Sequence, residues 1–220
     1  MYSEELKKQI VEIAERINGR KDHDFAPATF RDAADLKEMA KLVEENLSDD
    51  VDSIGFAYQC YAFLGDRYAS MCRRPISANY YLEALKLSIK LFKDYKEDHF
   101  KKDAPEIFKC LLRDRNFYVD DDCKDVLELV RGTGLIDDEK IDQIYQKRMQ
   151  GRRTFKNDPV EMTPEYLAVI DEIEERVEKN QKLHGMGSCF EYWDLKQQYL
   201  AEKGISWESP ALLNPNARFD

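Results

Sequence analysis

Between residues 61 and 84 the chain sets Tyr61, Leu64, Gly65 and Tyr68 ahead of Ser77, Tyr81 and Ala84. Apolar and small residues three and four apart define one face of a helix. The junction Cys72-Arg73-Arg74, followed by Pro75, ends one helix and fixes the start of the next. Gly65 and Ala84 withdraw bulk where the two helices must approach, and the three tyrosines fill the wider gaps around the crossing. No stretch elsewhere sustains the two-residue alternation of a strand. The expected fold is therefore all-α, about nine helices in antiparallel hairpins.

The rest of the chain divides by the same signals. Leu6, Ile10, Ile13 and Ile17 share a face from Ser3 to Asn18, and Asn18-Gly19 predicts a left-handed stop. A second helix is expected to bury Leu36, Met39, Val43 and Leu47, with Ser48-Asp49-Asp50 capping the third. Asp103 with Glu106, and Ser188 with Glu191, have the spacing of capping boxes at the heads of a fifth and a ninth helix. Between them, Cys123, Val126, Leu127 and Val130 mark a sixth helix, Ile141, Ile144 and Tyr145 a seventh, and Tyr166, Ile170, Ile173 and Val177 an eighth that starts at Thr163-Pro164. Residues 151–162 lack periodicity and read as a linker. The expected organisation is a helical-hairpin body over 1–150 and a helical extension over 163–220 packing back on it.

Composition narrows the partners. A net charge of −10 opposes binding to nucleic acid, which is driven by cations displacing counterions from phosphates. No apolar run approaches the roughly 20 residues of a spanning helix, so no membrane partner is expected. The amphipathic, charged stretch from Met1 to Ile17 has no apolar signal core, and the five cysteines form no closely spaced pair, which together predict a cytoplasmic protein with reduced thiols.

The hairpin residues Tyr61, Leu64, Gly65, Tyr68, Ser77, Tyr81 and Ala84 resemble a tetratricopeptide repeat. The likeness covers one unit, residues 58–91, and departs from the family at Ser77, where alanine is usual, and at Ile89, where a proline usually closes the second helix. Without that proline the fourth helix runs on to about Tyr95. The resemblance implies a tetratricopeptide-like α-α array whose flanking helices cover the unit's faces. It also implies a partner groove lined by Gln59, Ala62, Phe63, Asp66 and Ser70, which lacks the cations that clamp a peptide carboxylate and suits an apolar or basic segment. The tail, with Trp207, Leu212, Leu213 and Phe219, is similar to the ends of uncharacterised bacterial proteins and is expected to be ordered.

Strong catalytic signatures are missing, with no phosphate-binding glycine loop, no His-Glu-x-x-His and no Gly-x-Ser-x-Gly. Four weaker clusters remain. His184, Gly185, Gly187 and Ser188, with Cys189, precede a helix N-terminus able to receive an anion, or form a plain turn and cap. Asp120, Asp121 and Asp122 could hold a hard cation or serve as helix-capping acids. Lys147, Arg148, Arg152, Arg153 and Lys156 could bind an acidic partner or an anionic ligand, or form a solvated helix end. Asp22-His23-Asp24 has metal-ligand residue types without a visible third site. The expected function is a non-enzymatic protein-protein interaction or scaffold module that holds a protein or peptide and needs no cofactor or metal. The alternatives are a small-ligand-binding protein or enzyme using the Gly185–Cys189 turn, and a structural homodimer.

Overall fold

A computed structural model describes residues 2–20, 30–117, 121–150 and 156–219, all of them helical or in turns and connections, with no strand among them. The chain divides into two compact units, one of Met1–Asn116 with Asp121–Arg152, the other of Phe117–Asp120 with Arg153–Asp220.

In the first unit, α1 (Glu4–Gly19) starts where Ser3 Oγ accepts the Leu6 N–H at 3.1 Å, and it buries Ile10, Ile13 and Ile17. The expected left-handed stop is absent, because Gly19 does not enter positive φ and Arg20 follows at φ −65°. Helix α2 (Ala33–Asn46) buries Leu36, Met39 and Val43, whereas Leu47 lies beyond its end in extended backbone and is 39% exposed. Asp50 caps α3 (Val51–Ser70) by accepting the Ser53 N–H, and that early cap draws residues 47–50 out of the helical path.

Helices α3 and α4 (Arg74–Tyr95) form the central hairpin, with Pro75 in the first turn of α4. Their turn closes through the Arg73 N–H onto the Tyr68 carbonyl at 2.8 Å, with Cys72 left-handed at φ 57°. At the crossing, a β-carbon added to Gly65 would stand 2.8 Å from the Tyr81 ring, so the glycine sets how closely the helices pack. Tyr80 stacks on both Tyr61 and Tyr68.

Helix α5 (Ala104–Arg115) follows a one-turn 3-10 segment, Asp98–Lys101. The expected Asp103 capping box does not form, because the chain is already helical at Asp103 (φ −97°, ψ −23°), and a cap side chain reaches its N–H from extended backbone. Glu106 turns instead to Lys109 and the Cys110 thiol. Helices α6 (Lys124–Val130) and α7 (Asp138–Gln150) complete the unit, with Val126, Val130 and Ile141 in the shared core.

The second unit has its own core of Tyr166, Ile170, Ile173, Val177, Tyr199, Leu200 and Trp207, supplied by α8 (Pro164–Asn180), α9 (Ser188–Glu202) and the following strand-free connection. Part of the segment read as a linker belongs to it. Asp158 caps a 3-10 turn, Pro159–Met162, whose Glu161 accepts the Trp207 indole N–H at 2.7 Å and pairs with the buried Lys196. A last turn, α10 (Pro210–Leu213), leaves Leu212 62% exposed, while Phe219 packs edge-on against Trp193.

Candidate anion-binding cleft

Helices α5 and α7 border a cleft of about 590 Å³ in the first unit. Along α5 the residues Lys109, Cys110 and Arg113 lie three, four and seven positions after Glu106 and so share one face; along α7 Ile144, Lys147 and Arg148 lie four, seven and eight positions after Lys140 and do the same. Five cations therefore line the cleft against one carboxylate, Glu106, in a chain whose net charge is −10. That carboxylate is engaged by Lys109 at 2.9 Å, so the cleft's own acid does little to offset the remaining cations.

Next to Arg113 in the chain stands Asp114, with a fully buried side chain. Its Oδ1 accepts from Arg74 Nη1 at 2.9 Å and Arg113 Nε at 2.7 Å, and its Oδ2 accepts from Arg113 Nη2 at 3.1 Å. The paired bonds fix the Arg113 guanidinium in one orientation and hold its proton more tightly than usual, chiefly through the Asp114 hydrogen bonds. The Ser77 hydroxyl donates to Asp114 Oδ2 at 2.6 Å.

Arg148 crosses from α7 and donates from Nη2 to the Arg113 carbonyl at 3.0 Å. Its Nε is buried without a hydrogen-bond partner. Burial first, and then the charge of Arg113, weaken the hold of the Arg148 guanidinium on its proton. A charge held in that way gains from any anion that enters beside it. Lys140 and Lys147 make no ion pair with any described residue. Burial raises the Cys110 thiol above its ordinary pKa, which leaves it a poor nucleophile there. The arrangement can hold and orient negative charge, and the Glu106 carboxylate, which accepts from the Cys110 thiol at 3.8 Å, is itself tied to Lys109.

Of the residues expected to line a partner groove on α3, Gln59, Asp66 and Ser70 are exposed and Ala62 and Phe63 half-buried, and several make contacts within the protein. Asp66 accepts the Tyr81 hydroxyl proton, the Arg67 guanidinium lies 4.9 Å from the centre of the half-buried Phe63 ring, and Ser70 Oγ donates to the Asp66 carbonyl at 2.9 Å. Ala62 is half-buried against the core. Gln59 is exposed and borders a separate cleft of about 450 Å³ with Phe56 and His99.

At the other expected site, Gly187 takes the cap position at φ 80° and Ser188 is already inside α9, so the Ser188 and Glu191 capping box does not form. The N–H groups of Ser188 and Phe190 are given to the carbonyls of Gly185 and Gly187. Glu191 reaches back to accept the Lys182 and Leu183 N–H groups, which brings a carboxylate to the very turn where an anion was expected. His184 and Gly185 are exposed there, and the geometry favours a plain turn.

Asp121 pairs with Arg115 at 2.7 Å and Asp122 with Lys124 at 2.6 Å, so both acids answer cations. Among the described residues no group of acids, histidines and cysteines is arranged to hold a metal. Asp22-His23-Asp24, Asp120, Arg152 and Arg153 lie outside the described residues. Lys147 and Arg148 were visible in the sequence as part of a basic run, whereas Lys109, Arg113 and Lys140 were not. Their only signal was a cation at matching helical positions on two helices whose pairing the sequence does not give.

No helix of the described residues is long and apolar enough to cross a membrane. Searches against protein-family models, curated proteins and solved structures found no match to this chain.

Proposed function

We propose that this protein is a non-enzymatic interaction module and that its partner is a protein presenting an acidic segment to the α5–α7 cleft. The observation that carries this reading is the concentration of Lys109, Arg113, Lys140, Lys147 and Arg148 around one cleft of an acidic chain. A cationic cleft with low-dielectric walls focuses its field outward and draws in segments of opposite charge. The acidic remainder of the surface repels polyanions such as nucleic acid, which confines attraction to a segment short enough to fit the cleft. The tetratricopeptide-like hairpin, in this reading, is the frame on which α5 and α7 are mounted rather than the contact surface itself. The five cysteines carry no disulfide, which supports a cytoplasmic location.

The test is fluorescence anisotropy of a labelled polyglutamate peptide with the wild-type protein and with a Lys140→Glu, Lys147→Glu variant. Both lysines are exposed, so the variant keeps the core intact. Binding that weakens as salt rises, and that the variant loses, supports the proposal. Equal binding by the variant, or no binding by the wild type, refutes it.

A further inference from the structure

Resting on the proposed function, we infer that the acidic segment received by the α5–α7 cleft carries an apolar residue at its centre, seated on Ile144, Pro105 and Cys110 between the cleft's cations. The lining is the first reason. On α7, Ile144 stands four residues after Lys140 and three before Lys147, on the face they share; on α5, Cys110 stands between Lys109 and Arg113 in the same way. Each wall therefore sets an apolar residue between cations. Cys110 is buried, but Ile144 and Pro105 are only half-buried, and Ile144 packs on the core while also lining the cleft. The methylene stems of the three lysines widen that apolar strip. A segment made of carboxylates alone would answer the cations and leave the strip in water, whereas an apolar side chain removes it from water.

Span is the second reason. Arg148 Nη2 donates to the Arg113 carbonyl at 3.0 Å, which joins α5 and α7 near their C-terminal ends. Lys140 lies eight residues before Arg148, about 12 Å of helical rise. An extended segment covers that distance in about four residues. Side chains two residues before and after its central residue lie on the same face as the centre. Acids at those two positions reach Lys140 at one end and Lys147 with Arg113 at the other, with the apolar residue over Ile144.

The same arrangement decides between a protein segment and a small amphiphile. A fatty acid brings one carboxylate at one end of its chain, and the cleft has cations on both sides of its apolar strip. Its volume of about 590 Å³ is also that of a site that takes several side chains at once.

The experiment measures anisotropy of labelled peptides of equal length, glutamate throughout except for leucine, serine or glutamate at the centre. A serine peptide with the same central leucine is the uncharged control, and sodium octanoate is the competitor. The wild type should bind the leucine peptide about tenfold more tightly than the one with central serine. That ratio should hold as salt rises while both affinities fall, because screening acts on the charges. Ile144→Ser should bring the ratio close to one, and an unchanged ratio in the folded variant overturns the seat. Equal affinity for the leucine-centred and serine-centred peptides in the wild type overturns the apolar centre and leaves the acidic-segment reading standing. Failure of every glutamate peptide to bind overturns both, as does equally tight binding of the uncharged control. If octanoate displaces the leucine peptide at equal concentration, a protein segment as the source is overturned. Should Ile144→Ser not fold by circular dichroism, nuclear Overhauser contacts in the wild-type complex decide. Contacts from the peptide's leucine methyls to Ile144 support the seat, and contacts only to residues outside 105–113 and 140–148 overturn it.

Discussion

The Ser77 hydroxyl lies 2.6 Å from Asp114 Oδ2 and 2.8 Å from the Gly65 carbonyl, so one buried side chain on α4 ties α3 to α5. Through Asp114 the same link reaches Arg113, which lines the cleft. Ser77→Ala removes a hydrogen bond to a charged group and should cost about 1.5–3 kcal/mol in urea unfolding. Asp114→Ala leaves two guanidiniums without their carboxylate and should cost about 3–5 kcal/mol. Wild-type stability in the Asp114 variant would show that the buried cluster carries no such strain.

Two glycines on α3 should respond in opposite directions to the same change. A β-carbon at Gly65 meets the Tyr81 ring at 2.8 Å, whereas one at Gly55 meets nothing within 4 Å. Gly55→Ala should stabilise by about 0.5–1 kcal/mol through helix propensity. Gly65→Ala should destabilise, and Gly65→Leu should cost on the order of 1–3 kcal/mol or more by overpacking. A thermal melt in which both alanine variants gain stability would contradict the crossing.

Asp35 makes the α1–α2 contact sensitive to acid. Its bond to Arg16 above all, assisted by Arg20, holds the carboxyl below the ordinary carboxylate range. Because the folded value is depressed, the stabilisation is complete above the unfolded value of about 3.9 and is lost as pH falls through the lower folded value. Asp35→Asn should therefore be less stable than wild type at neutral pH, and the gap should narrow as pH falls below about 4. A gap that stays constant across that window would exclude the pairing.

Thiol reactivity should sort by burial. The Cys60 and Cys123 thiols are pushed up to about 12 by burial, whereas Cys72 is exposed. With a chromogenic disulfide reagent at mildly alkaline pH, Cys72 should react rapidly and Cys60 and Cys123 only after unfolding. Immediate titration of every thiol in the native protein would argue against the packed core.

The sequence made the α3–α4 hairpin legible because its determinants are local: Gly65, Ala84 and the tyrosines report a crossing formed by neighbouring helices. Capping boxes were less dependable. Asp103 and Ser188 have the right spacing to Glu106 and Glu191, but the backbone before each is helical or left-handed, and spacing alone does not record that. Of the groove residues on α3, Gln59, Asp66 and Ser70 are exposed, while the bond between Asp66 and Tyr81 and the cover of Arg67 on Phe63 arise from folding and could not be read from the sequence. The cleft was the least legible feature, since it depends on α5 meeting α7 while α6 lies between them in the chain. Two cations on one face of α5 and three on one face of α7 read, from sequence, as ordinary solvated faces.

The most direct measurement is a two-dimensional amide NMR titration of the labelled protein with the polyglutamate peptide. The proposed function predicts shift changes concentrated in residues 106–113 and 140–148, abolished by the Lys140→Glu, Lys147→Glu variant. Changes confined to α3 residues 59–70, or to the turn at 184–188, with α5 and α7 unaffected, would contradict it.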